Sequence, residues 1–147
     1  MKNQTLAILA IVSVCWFVLW GCSPSSSDED ASTGTTNSTF SDNNTTFVVT
    51  VSAGKYFLDN VQGKTLTLKK GYTYNFDTQD SSTGSHPFYL GTGSTGGNYA
   101  DEYTSGVTNS RTTSGILNFV VPQDAPKELY YNCGAHSNMG AAITIVD

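Results

Sequence analysis

The sequence predicts an all-β domain, a β-sandwich or barrel of about seven to eight strands, set behind an export leader. Three observations predict it. Only 13% of the 147 residues are charged, while eight Tyr and seven Phe supply aromatic mass. β-Branched and aromatic residues gather in short runs, and runs of helix formers are scarce. Gly, Pro, Asn and Asp punctuate those runs at short intervals, as turns between strands do. No stretch has helical periodicity, and no internal repeat is present.

Taken in order, Thr46 to Val51 reads as a strand and Lys55 to Leu58 as a second, closed by Asp59-Asn60. Lys64 to Lys69 alternates with period two, which puts Leu66 and Leu68 on one face. Tyr72 to Phe76 alternates in the same way, and with Lys70-Gly71 between them the two runs read as a hairpin. His86 to Leu90 reads as a short strand that His86 opens. A Gly-, Ser- and Thr-rich stretch from Gly91 to Thr113 then crosses the surface, anchored by Tyr99, Tyr103 and Val107. Ile116 to Val121 is a strand stopped by Pro122, and Pro122 to Pro126 is a turn. Leu129 to Cys133 and Ala141 to Val146 are the last two strands.

The chain before this domain has a different texture. Lys2 precedes an apolar run from Leu6 to Trp20, shorter than the roughly 20 residues that span a bilayer, and Gly21-Cys22 follows. A charged start, a short apolar core and a small residue at the cut mark a secretion signal over residues 1–21. Leu19-Trp20-Gly21-Cys22 resembles a bacterial lipobox, with Trp20 where a small residue is usual. The resemblance implies that Cys22 is acylated and tethers the protein to a membrane. Residues 22–44 are polar and acidic, with Phe40 as the large apolar exception, and cannot bury enough surface to offset the entropy of ordering them. As a flexible coil they reach about 25 Å. The domain is expected over residues 45–147.

The scarce residues carry the chemistry. The chain has two His, three Cys and two Met. Cys15 and Cys22 belong to the leader and its cut, and Met1 is the initiator, so the expected domain keeps His86, Cys133, His136 and Met139. Three of these lie within Cys133-Gly134-Ala135-His136-Ser137-Asn138-Met139. A thiolate and two imidazoles in a trigonal arrangement, with a weak axial thioether, make the type 1 copper site. Strand parity puts Leu129, Tyr131 and Cys133 on one face and Tyr130 and Asn132 on the other. Gly134 is expected to let the chain turn after Cys133, and Gly140 to let it re-enter a strand. A lone thiol outside the cytoplasm is unusual, and metal ligation accounts for it. Zinc on the same ligands, a copper storage or delivery protein, a metal-free surface sandwich and a thiol enzyme are the alternatives these residues leave open.

With those residues in view the chain resembles the cupredoxin family. The spacing C-x2-H-x2-M at Cys133, His136 and Met139, with His86 upstream, is similar to the short ligand loop of amicyanins; plastocyanins and azurins have longer ones. Asn commonly follows the first His in plastocyanin-like proteins, and here Pro87 does. A Tyr precedes the Cys in plastocyanins, and here Asn132 does. The resemblance covers roughly Thr46 to Asp147. It implies a Greek-key β-sandwich, one copper ion held by His86, Cys133, His136 and Met139, and outer-sphere one-electron transfer rather than catalysis. It also implies His136 as the exposed electron port, ringed by Pro87, Ala135, Met139 and Ala141.

The formal charge of −5 and the absence of any basic cluster exclude a nucleic-acid partner. The expected partners are redox proteins and a membrane reached through the lipid anchor, with the protein itself a monomer. The expected location is outside the cytoplasm, in the periplasm or at the cell surface. Asp101 and Glu102, between Tyr99 and Tyr103, offer either an acidic recognition patch or ordinary surface.

Overall fold

Alternating apolar residues give a strand one face to bury, and ten strands pack in two layers, most of them in this way. The computed structural model describes residues 44–147. The expected leader, Cys22 and all but the last residue of the linker lie outside the described residues. The strands are β1 (Asn44–Ser52), β2 (Lys55–Leu58), β3 (Val61–Gln62), β4 (Leu66–Lys69), β5 (Thr73–Asp77), β6 (Phe88–Gly91), β7 (Val107–Thr108), β8 (Ile116–Val120), β9 (Glu128–Cys133) and β10 (Ala141–Val146). One 3-10 turn, Ser81–Thr83, separates β5 from β6. β3 and β7 are two-residue edge strands, which accounts for ten strands where about seven to eight are expected. Among the described residues no helix is long and apolar enough to cross a membrane.

The larger sheet runs β3-β2-β1-β5-β8-β7 and the smaller β4-β10-β9-β6. Both are mixed: β1 pairs parallel with β5, and β4 parallel with β10. Between the layers the larger sheet contributes Phe47, Val49, Tyr56, Leu58, Tyr74, Phe76, Leu117 and Phe119. The smaller contributes Leu66, Leu68, Phe88, Leu90, Leu129, Tyr131, Ile143 and Ile145, all buried. Each such side chain contributes roughly 1.5–3 kcal/mol by leaving water. Aromatic rings link the layers: Phe76 lies 5.2 Å from Phe88, and Tyr56 meets Phe88 edge-on at 5.1 Å.

The expected hairpin between β4 and β5 does not form. β4 pairs with β10, Leu66 opposite Ile143 and Leu68 opposite Ile145, whereas β5 lies between β1 and β8 in the other sheet. At the crossing, Lys70 N–H donates to Val146 O at 2.9 Å and Gly71 N–H to Val121 O at 2.8 Å. The donors of the turn are thus spent on the end of a strand in each layer. Turn residues report that the chain reverses. They do not report whether the next strand bonds to the previous one or faces it across the core.

A second feature departs from simple alternation. All four residues of β6 are buried, as are Asn132 and Cys133 together at the end of β9. β6 and β9 pair antiparallel, Phe88 opposite Cys133 and Tyr89 opposite Asn132. Phe88 and Cys133 face the core. Tyr89 and Asn132 face outward, where the segment between β6 and β7 covers them. Tyr89 Oη donates to Asp101 Oδ1 at 2.7 Å, and Asn132 Nδ2 donates to Gly93 O at 2.8 Å.

Candidate metal centre

The antiparallel pairing of β6 with β9 brings the start of one strand to the end of the other, so the chain before Phe88 and the chain after Cys133 meet at one end of the sandwich. Cys133 is fully buried and is the free cysteine among the described residues. His86 lies two residues before β6 rather than opening it, because Pro87 has no N–H to give to a ladder. Its place is set by the 3-10 turn. Asp80 accepts from Ser82 N–H at 2.9 Å, Ser82 Oγ accepts from Val51 N–H at 2.8 Å, and His86 N–H donates to Thr83 O at 2.8 Å.

The ligand loop is held by backbone contacts from β2. Tyr56 N–H donates to Met139 O at 3.0 Å, and Tyr56 Oη donates to His86 O at 2.7 Å. One fully buried tyrosine therefore ties together the two segments that carry the histidines. Lys55 Nζ adds a bond to Asn138 O. Burial, and secondarily the neighbouring Cys133, push the Tyr56 hydroxyl far above its ordinary pKa, so it remains a donor. Gly140 has room for no side chain: a Cβ there would stand 1.6 Å from Tyr131 O. Its place at the re-entry into β10 follows from this close approach. The chain bends at Gly134 as expected, and a close approach is a further reason for glycine there: an added Cβ would stand 1.9 Å from Cζ of Tyr99.

His86, Cys133 and His136 converge, with donor atoms all within 4.8 Å of one another. Cys133 Sγ lies 3.8 Å from His86 Nδ1 and 3.7 Å from His136 Nδ1. The imidazole rings are 4.8 Å apart, centre to centre. A first-row ion such as zinc stands about 2.3 Å from a thiolate and about 2.05 Å from an imidazole nitrogen. Those lengths put sulfur and nitrogen about 3.6–3.8 Å apart for angles between tetrahedral and trigonal. Both observed separations fall at that spacing, so the thiol stands where it can share one ion with each imidazole. Burial first, and the neighbouring His136 second, lower the pKa of His86 and favour its neutral form, the form that binds a metal.

Met139 is buried at 1% exposure in the same core cluster as Cys133, on the loop just before β10. It does not belong to the expected apolar rim. His136 and Ala135 are exposed, and Pro87 and Ala141 are half-buried, so those three apolar residues remain available around the outward histidine. Asp101 and Glu102 do not form an acidic recognition patch. Asp101 accepts from Tyr89 Oη and from Gly93 N–H at 2.9 Å, and Glu102 takes a two-pronged contact from Arg111 and a hydroxyl bond from Ser110. The sequence reading missed the covered outer face. Its one signal was Asn132, a polar residue in a run otherwise rich in large side chains.

No family model matches the chain, and no curated protein does. Among solved structures 34 chains match. Rusticyanin from Thiobacillus ferrooxidans is 15% identical, superposes with a TM-score of 0.46, and is matched over 73% of this chain and 80% of that one. Another rusticyanin structure, described as a copper protein, gives 15%, 0.46, 73% and 80% in the same order. A McoA multicopper oxidase variant from the hyperthermophile Aquifex aeolicus is 17% identical with a TM-score of 0.40, over 74% of this chain and 28% of that one. What defines the class is this chain's own architecture: two mixed sheets face to face, with a thiol and two imidazoles gathered where β9 ends. That is a β-sandwich with a candidate metal centre at one end.

Proposed function

We propose that the protein is a one-electron carrier holding a single type 1 copper ion through His86, Cys133, His136 and Met139. The observation that carries the reading is the pair of sulfur–nitrogen separations, 3.8 and 3.7 Å, that join residues 47 and 3 positions apart in the chain. Copper on such a donor set supplies a one-electron couple, because thiolate and thioether suit Cu(I) while imidazole suits both oxidation states. The chain's own residues do the rest. Tyr56 and the turn at Ser81–Thr83 fix the two histidine segments, so that the donors keep their positions whichever state is bound. Met139 stands as the fourth, weak donor. His136 is the exposed member of the set and serves as the edge through which an electron enters and leaves. Pro87, Ala135 and Ala141 offer a small apolar surround for a redox partner protein.

The same reading puts the domain outside the cytoplasm as a monomer, tethered to a membrane by an acylated Cys22. The leader pattern and a free thiol explained by metal ligation support it. Radiolabelled palmitate should enter the wild-type protein and not Cys22→Ser, which should leave the membrane fraction.

Cu(II) titration tests the metal assignment. An intense visible sulfur-to-copper band at one equivalent is expected, abolished in Cys133→Ser and weakened in His86→Ala. A colourless wild-type protein under those conditions overturns the assignment.

A further inference from the structure

The structure assigns a positioning role to Tyr99: its ring, carried on the segment between β6 and β7, clamps the peptide that joins Cys133 to Gly134 and so fixes the direction of the thiol. The inference rests on the reading of Cys133 as a metal ligand, and it concerns what keeps that ligand in place.

The Cys133–Gly134 peptide is tied on both sides. Its carbonyl accepts from Gly97 N–H at 2.7 Å, and its N–H donates to Pro87 O at 2.9 Å. The second bond links it to the residue after His86. The first links it to the segment that carries Tyr99. The same segment reaches the far side of the ligand loop, where Asn138 N–H donates to Thr95 O at 2.7 Å and Gly96 bridges to Ser137. The segment therefore holds the ligand loop on both sides of His136.

Tyr99 closes this arrangement. The hydroxyl end of its ring occupies the place where a side chain at residue 134 would begin, with Cζ 1.9 Å, Cε1 2.0 Å and Oη 2.1 Å from an added Cβ. Its backbone is in the left-handed region, φ 58°, which a bulky non-glycine residue adopts only when its surroundings enforce it. The surroundings do so. The Arg111 guanidinium stands 4.2 Å from the ring centre, the Tyr89 ring 5.1 Å away, and Glu102 N–H donates to Tyr99 O at 3.2 Å. Arg111 is itself held by Glu102 through two nitrogens. The base of the segment is pinned by the Asp101 carboxylate on Gly93 N–H and Tyr89 Oη, and by Thr92 N–H on Asp101 O at 2.8 Å. Apart from Oη, which meets Gly134 beside the ring carbons and has no hydrogen bond among the described residues, these contacts use the ring or the backbone of Tyr99, so phenylalanine should serve nearly as well.

The test compares Tyr99→Ala, Tyr99→Phe, Gly134→Ala and the double variant Tyr99→Ala/Gly134→Ala with the wild type. Leu68→Ala, in β4 of the core, controls for general loss of stability. Without metal, amide exchange at Gly97, Gly134 and Asn138 in Tyr99→Ala should quicken by about tenfold or more relative to core amides, as a local opening does. With Cu(II), the same variant should bind about 10–100-fold more weakly and lose intensity in the sulfur-to-copper band, the usual scale for removing a group that orients a ligand. Tyr99→Phe should match the wild type on both measures. Gly134→Ala displaces the ring and should reproduce Tyr99→Ala, and the double variant should be no worse than either, because both substitutions remove one contact. Unchanged exchange and affinity in Tyr99→Ala would overturn the inference. So would equal damage from Tyr99→Phe, or the same response from Leu68→Ala. If the wild type binds no copper while the exchange response holds, the copper assignment falls and the clamp stands. If copper binds normally and neither measure responds to Tyr99, the clamp alone falls.

Discussion

The two sheets differ in how they are covered. In the larger sheet the main strands bury one face and turn the other outward: β2, β5 and β8 alternate without exception, and Val48, Ile116 and Val120 stand outside. In the smaller sheet, β6 and the end of β9 are buried on both faces. The inner face is packed by aromatic residues, and the outer face is sealed by polar contacts among Tyr89, Asp101, Asn132 and Gly93. The larger sheet is therefore held mainly by an apolar layer that tolerates some exchange of side chains. The doubly covered strands are held by specific hydrogen bonds; β9 carries Cys133, and the segments that adjoin β6 and β9 at that end carry His86 and His136. Where ligand positions must be fixed, the fold adds directional contacts to burial.

That contrast can be broken, starting with the largest effect. Phe119→Ala, in β8 at the end of the core away from Cys133, should cost about 3–5 kcal/mol in chemical denaturation, with the copper spectrum of the folded protein unaltered. A spectrum that collapses with it would mean that the two layers are not separable. Tyr89→Phe removes the hydroxyl that Asp101 accepts from, with only one ring atom lost. A loss of about 1–3 kcal/mol is expected for the carboxylate oxygen left short of a donor, and the measure is again the denaturation midpoint.

A smaller and pH-dependent effect is expected at Glu102. Its carboxyl is held below the ordinary range chiefly by the Arg111 contact, against an opposing contribution from burial and with help from Ser110. A depressed carboxylate pKa contributes stability that is full above the ordinary pKa and is lost as pH falls through the folded value. Glu102→Gln should therefore melt below the wild type at neutral pH, and the gap should close as the pH is lowered through the carboxylate range. A gap that widens in acid would contradict the assignment. The smallest change is expected at Val48, 51% exposed on the outer face of the larger sheet. Val48→Thr should alter stability by no more than about 0.5 kcal/mol, and a larger loss would show that this face is not free.

Much of this was legible in the sequence, for a physical reason. Alternation reports one-sided burial directly, so Lys55–Leu58, Ile116–Val120 and Ala141–Val146 could be placed almost to the residue. The three converging ligands could be named because His and Cys are rare in the chain and their chemistry is specific. Alternation is silent about which strand pairs with which, so it cannot tell a hairpin at Lys70-Gly71 from the crossing between sheets that is found there. It is also silent about strands covered twice. Gly134 bends the chain, as its type suggests, but it also admits the ring of Tyr99, a residue 35 positions away that no local pattern connects to it.

The central claim is that sulfur from Cys133 and nitrogen from both histidines bind one copper ion. X-ray absorption at the copper edge on the protein loaded with one equivalent of Cu(II) reads that shell directly. One short sulfur scatterer and two imidazole nitrogens are expected, with the sulfur absent in Cys133→Ser. A shell of oxygen and nitrogen alone in the wild type would contradict it.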